Sequence, residues 1–191
     1  MSNIVYDNEI TVELSSTYDE LKDILKSNGF KLTEEYDLID IYMLKVDYQG
    51  SDILDKLKNC LLIRNIITKD QNIKLITYKY KEYNDREEIV KQGKVECEVS
   101  SISDAQNLLE TVGYRKFINI IDHIKVYNNG KTELAVQLVN DKHIYIELEQ
   151  GTNYDTVEEM IEDLNSYNFP LKNTNYFVKK ALIEILESGA K

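Results

Sequence analysis

The sequence is poor in the residues that build metal centres from nitrogen and sulfur. It has two histidines, His123 and His143, and two cysteines, Cys60 and Cys97. A histidine-rich metal site is excluded, and the cysteine spacing is not that of a zinc site. Both cysteines lie in apolar, strand-like settings and are read as reduced core residues of a cytoplasmic protein. The histidines are read as surface or strand-end residues. A single proline, Pro170, and seven glycines leave no low-complexity linker, so residues 1–191 are expected to form one domain. No run approaches the ~20 apolar residues of a membrane span. The opening MSNIVYDNEI has neither the basic start nor the apolar stretch of a signal peptide. There is no P-loop, Gly-rich phosphate cradle or Ser/Cys nucleophile arrangement, which excludes a kinase or Rossmann reading. Positive charge is also scarce: 23 Lys and Arg stand against 34 Asp and Glu, for a formal net charge of -11. Such a surface repels nucleic acid and anionic membranes, so neither is an expected partner. An anionic ligand would need a local basic lining or a metal counter-ion.

What is present is alternation. Thr132 to Glu149 reads as two strands joined by a tight Asn140-Asp141 turn. In the second strand Ile144, Ile146 and Leu148 alternate with His143, Tyr145, Glu147 and Glu149. Successive strand residues face opposite ways, so one face is apolar and the other carries spaced carboxylates. The pattern recurs around Glu9 and Glu13, and around Glu96 and Glu98. Alternation alone also fits a half-exposed antiparallel sheet with a solvated acidic face.

The order of the elements adds to this. Thr17 and Glu20 form a capping box for a helix with Leu21, Ile24 and Leu25 on one face, ended by Asn28-Gly29. Residues from Phe30 read as extended chain with a bend near Asp37, followed by a short helix over Ser51 to Lys58. A buried strand, Asn59 to Thr68, turns back into Lys74 to Tyr83, and a strand through Lys94 to Val99 follows. Ser103 and Gln106 are expected to cap a second helix, closed by Gly113, before a strand from Tyr114 to Tyr127. Thr156 and Glu159 open a third helix, stopped before Pro170, and a last helix is expected from about Tyr176 to Leu186. The stretch ending at Lys31 and the stretch ending at Lys116 share a capping box, an apolar helix face and a Gly-aromatic-basic close. The chain therefore reads as α+β. Two strand-helix-strand halves supply about eight antiparallel strands closing into a barrel, with helices outside and C-terminal helices over about 156–188 packed on it.

That order, with the motifs below, resembles the CYTH superfamily of triphosphate tunnel metalloenzymes, which includes class IV adenylate cyclases and thiamine and inorganic triphosphatases. The resemblance runs from Glu9 to Glu149, with an echo in the C-terminal helix. Of the family's opening ExExK the chain keeps Glu9, with Thr11 and Glu13 at the other two positions. Leu61-Leu62-Ile63-Arg64 matches LRIR with one arginine of two, Ile76-Thr77-Tyr78-Lys79 matches the Thr-Tyr-Lys strand, and Lys94, Glu96 and Glu98 match Lys-x-Glu-x-Glu. The family's KxRxxY becomes Asp122 to Tyr127 with Ile124 inside it, an aspartate becomes Gln137, and the last Glu-x-Glu is intact as Glu147 and Glu149. The resemblance implies a small-molecule phosphate ligand oriented by Arg64, Lys79, Lys94 and Lys125, and a Mg²⁺ or Mn²⁺ ion on Glu9, Glu147 and Glu149. Glu13, Glu96, Glu98 and Asp122 would be further tunnel acids. Hard divalent ions favour carboxylate oxygens, which suits that set. Glu13 and Asp122 stand where the family has cations, so they are expected to pair with Arg64 or Lys79. The implied activity is a phosphohydrolase or adenylate cyclase; the alternative is a non-catalytic descendant that binds another ligand or serves as an interaction domain.

Overall fold

The computed structural model describes residues 5–6, 8–50, 52–83 and 89–188. In chain order the elements are β1 (Val5–Tyr6), β2 (Glu9–Glu13), α1 (Tyr18–Ser27), β3 (Lys31–Lys45), α2 (Ile53–Lys58), β4 (Leu61–Ile67) and β5 (Asn72–Tyr83). They continue with β6 (Ile89–Glu98), α3 (Ile102–Thr111), β7 (Tyr114–Asn128), β8 (Glu133–Val139), β9 (His143–Glu149), α4 (Val157–Ser166) and α5 (Lys180–Ser188). The architecture is α+β, an antiparallel sheet with helices. No helix among the described residues is long and apolar enough to cross a membrane.

The chain forms two compact units: residues 1–6, 37–121 and 179–191 make the first, and residues 7–36 and 122–178 the second. β3 and β7 run through both. In the first unit, β1, β6, β5, β4 and β3 are successive neighbours. One face of this sheet sets Met43 and Ile63 against Ala105 and Leu109 of α3, with Ile41, Leu61, Ile76 and Val99 packed around them. In the second unit β7, β8, β9 and β2 follow one another. There Ile10, Val12, Ile144, Ile146 and Leu148 bury one sheet face under Leu21 and Leu25 of α1 and Met160 and Leu164 of α4. The greasy side of the Thr132–Glu149 ladder is thus the helix-covered side, as its alternation implies.

Local chemistry explains most element ends. Thr17 accepts the Glu20 amide while the Glu20 carboxylate takes the Thr17 N–H, a complete capping box. Thr156 caps α4 by accepting the Glu159 amide at 3.2 Å. Gly29 and Gly113 close α1 and α3 with φ of 77° and 91°, a conformation that costs a side chain but not glycine. Asn140 and Asp141 take φ of 47° and 59°, the paired left-handed residues of a two-residue hairpin turn.

Three expectations are corrected. The second helix is capped by Ser101, which accepts the Asp104 amide, and not by Ser103, which falls inside the first turn. The last helix begins at Lys180 because Tyr176 and Val178 are hydrogen-bonded to Thr11 of β2. Cys97 is exposed, whereas Cys60 is buried. Among the described residues β1 pairs with β6 at Gly93 and Lys94. Closure of the sheet into a barrel is not established by the described hydrogen bonds. The described ladders do not close a barrel: they have two ends, β1 in the first unit and β2 in the second. The far edge of β2 is already occupied. Thr11 N–H donates to Tyr176 O and Val178 N–H to Thr11 O, while Ser15 and Lys172 exchange backbone bonds with Pro170 and Glu13. Backbone groups satisfied in this way are not available for a closing ladder.

Candidate functional site

Antiparallel partners share a face, so register tells which polar residues stand together. In the second unit Glu9 lies opposite Glu149, Thr11 opposite Glu147 and Glu13 opposite Tyr145. Tyr145 in turn opposes Gln137, and Gln137 opposes Ile124. These residues form the face turned away from α1 and α4. Ligand oxygens of Glu9, Glu147 and Glu149 all lie within 4.8 Å of one another. Three carboxylates so close suit a hard divalent cation, which takes oxygen donors and keeps waters or substrate oxygens in its other positions. Glu9 and Glu147 are half-buried and Glu149 is exposed.

Further along the same face the surroundings are tighter. Thr11, Glu13, Gln137, Tyr145 and Ile124 are all buried. Glu13 accepts two charged or polar donors: Lys172 Nζ at 2.7 Å and His143 Nδ1 at 3.0 Å. This differs from the expected pairing with Arg64 or Lys79. Asp122 is buried and opposes Val139, itself the partner of His143. Lys125 opposes Val136, not Gln137, and so belongs to the helix-side face of the sheet, where its ammonium is bonded to Glu35.

In the first unit Arg64 opposes Asp40 and Leu75, Thr77 opposes Glu96, Leu75 opposes Glu98, and Lys79 opposes Lys94. All of these share the face turned away from α3. Arg64 is committed to Asp40 through two parallel bonds, Nε to Oδ1 at 2.8 Å and a terminal nitrogen to Oδ2 at 2.7 Å. Burial opposes the charged guanidinium, but the Asp40 carboxylate outweighs it and raises the arginine pKa further. Asp40 was missed in the sequence; its signal is the Ile39-Asp40-Ile41 alternation inside an apolar strand. Glu96 accepts the buried Thr77 hydroxyl at 3.2 Å and lies 3.5 Å from Lys94. Lys79, half-buried, makes no ion pair among the described residues. Lys79 lies directly opposite Lys94, whose ammonium has Glu96 at 3.5 Å, and like charges directly opposite repel.

Structure therefore groups the candidates into two sets, Glu9, Glu147 and Glu149 in one unit and Arg64, Lys79, Lys94, Glu96 and Glu98 in the other. No family model matches the chain, and no curated protein matches it by sequence. Solved structures do match. The PH1819 protein of Pyrococcus horikoshii superposes with a TM-score of 0.67 at 17% identity, over 95% of this chain and 99% of that one. A candidate adenylyl cyclase of Hippeastrum with a dominant triphosphatase activity gives 0.59 at 15% identity, over 97% of each chain. The chain shares their fold. A chain of the Schizosaccharomyces pombe Mediator head module has it too, with a TM-score of 0.58 at 10% identity over 89% of this chain and 99% of that one. At such identities the likeness concerns backbone architecture, and the side chains above must carry any chemistry.

Proposed function

We propose that this chain is a CYTH-type protein that binds a triphosphate or other polyphosphate-bearing small molecule together with a divalent metal. The observation that carries the reading is the three-carboxylate cluster of Glu9, Glu147 and Glu149, the motif positions that the resemblance assigns to metal, within 4.8 Å of one another. In this reading these acids hold Mg²⁺ or Mn²⁺, which would supply charge neutralisation to phosphate oxygens. Lys79 and Lys94 take phosphate oxygens, and Arg64, anchored by Asp40, presents only what donors remain. Lys125, bonded to Glu35 on the other face, drops out of the ligand set. A closed tunnel is part of this proposal and rests on the resemblance, since no described ladder closes the sheet.

Turnover is expected to be weak. Relative to the family pattern the chain lacks cations at Leu62, Glu13, Asp122 and Ile124. Each missing charge-assisted contact removes ~1.5–3 kcal/mol, against ~8 kcal/mol for a whole micromolar affinity, so the binding that remains is expected to be carried largely by the metal on Glu9, Glu147 and Glu149. A non-catalytic role has its own support: the face around Tyr145 is filled by buried side chains, and the fold recurs in the Mediator head module. The deciding experiment measures binding of Mg²⁺–tripolyphosphate by calorimetry, with phosphate and pyrophosphate release from tripolyphosphate, ATP and thiamine triphosphate. Binding that disappears in Glu147→Gln supports the reading. Absence of binding at millimolar ligand and metal overturns it.

A further inference from the structure

The buried Glu13 is the position where the resemblance has a lysine, and its neutralisation comes from a distant part of the chain. Residues 170–178 lie along the free edge of β2, held by Ser15 N–H to Pro170 O at 2.9 Å, Lys172 N–H to Glu13 O at 2.8 Å, and the two Thr11 bonds to Tyr176 and Val178. This fixes the Lys172 backbone directly beside Glu13 and delivers its ammonium to Glu13 Oε1 at 2.7 Å. The two side chains differ sharply in exposure, 52% for Lys172 and 6% for Glu13. An ammonium has three N–H donors, so one bond to Glu13 leaves two for other acceptors. Glu13 is also engaged by His143 Nδ1 at 3.0 Å, so its negative charge is shared between two partners. Glu147, opposite Thr11, lies one same-face step from Tyr145, opposite Glu13, a distance of roughly 7 Å along the strand.

We infer that Lys172 replaces, from the C-terminal segment, the positive charge that position 13 lacks, and that it contacts the anionic part of the ligand whose metal sits on Glu9, Glu147 and Glu149. The inference rests on the proposed function and adds to it a residue outside the family motifs. Because Lys172 is pinned by backbone bonds on both sides, little ordering is needed to place it, and its side chain reaches over the acidic face instead of out of a strand. Charge reversal at position 13 is then not a loss of the site's charge but its relocation.

Calorimetric titration of Mg²⁺–tripolyphosphate into the full chain tests this with Lys172→Ala, Lys172→Arg and the double variant Glu13→Gln with Lys172→Ala. The Kd should rise about tenfold or more in Lys172→Ala and stay near the wild-type value in Lys172→Arg. Lys172→Ala strands a buried carboxylate and can lower the melting temperature. The double variant removes that carboxylate, so it should melt near the wild type yet keep the weakened binding. A Kd unchanged in both Lys172→Ala and the double variant, with wild-type binding present, overturns the inference and leaves the proposed function standing. Failure of the wild type to bind overturns both.

Discussion

Arg64→Leu is the most informative single perturbation of stability. The arginine and Asp40 are opposite residues of β4 and β3, with side chains 11% and 9% exposed, and two bonds of 2.8 and 2.7 Å join them. Removing the guanidinium leaves the Asp40 carboxylate where water reaches little of it, and breaking such a buried pair costs about 3–5 kcal/mol. Replacing both partners removes the stranded charge as well. Arg64→Leu with Asp40→Leu should therefore recover most of the loss, because two apolar residues of suitable volume can match a buried ion pair. Urea unfolding at pH 7 followed by circular dichroism measures both variants against the wild type, with Asp40→Leu completing the double-mutant cycle. A wild-type midpoint in Arg64→Leu, or a double variant no more stable than the single one, would refute the pairing argument and leave Arg64 available to a ligand.

The remaining expectations are narrower. Glu13→Lys, which places the lysine of the CYTH pattern at this position, should destabilise the protein because the new ammonium meets Lys172 and His143; Lys172→Glu in the same chain should recover part of the loss, read by thermal melting. A thiol reagent at pH 8 should label Cys97 in the native protein and Cys60 only after unfolding, since one is exposed and the other buried. Burial pushes the Cys60 thiol up from 9.0 to about 12. Its contribution to stability is then full below its unfolded pKa and is lost as pH rises from 9.0 towards 12, where only the unfolded chain ionises. Chemical unfolding between pH 8 and 11 should show a steeper decline in the wild type than in Cys60→Ala. Thr156→Ala should cost ~1 kcal/mol through loss of the α4 cap, measured by urea midpoint.

Short-range physics made much of the fold legible in the sequence. Alternation in Glu9–Leu14 and His143–Glu149 assigned the apolar side chains to one face and the carboxylates to the other before any partner was known, because adjacent strand side chains must point oppositely. Thr17 with Glu20, Thr156, Gly29, Gly113 and the Asn140-Asp141 turn marked element ends because each satisfies or reshapes backbone within a few residues. The nearness of Glu9 to Glu147 and Glu149 was expected from the family pattern and is produced by the β2–β9 register.

Charge pairing was decided by tertiary structure. Which cation neutralises Glu13 depends on a segment 159 residues away lying along the β2 edge, and nothing in the composition around Lys172 announces that path. Asp40 and not Glu13 meets Arg64 because β3 and β4 pair in a register that sets them opposite, an offset fixed by the whole ladder from Asp37 to Met43. Lys125 was turned to the helix-side face by its pairing with Val136. A face can be read from the period of a strand, whereas the partner across it depends on contacts between residues far apart in sequence, whose closure is set by packing of the folded chain.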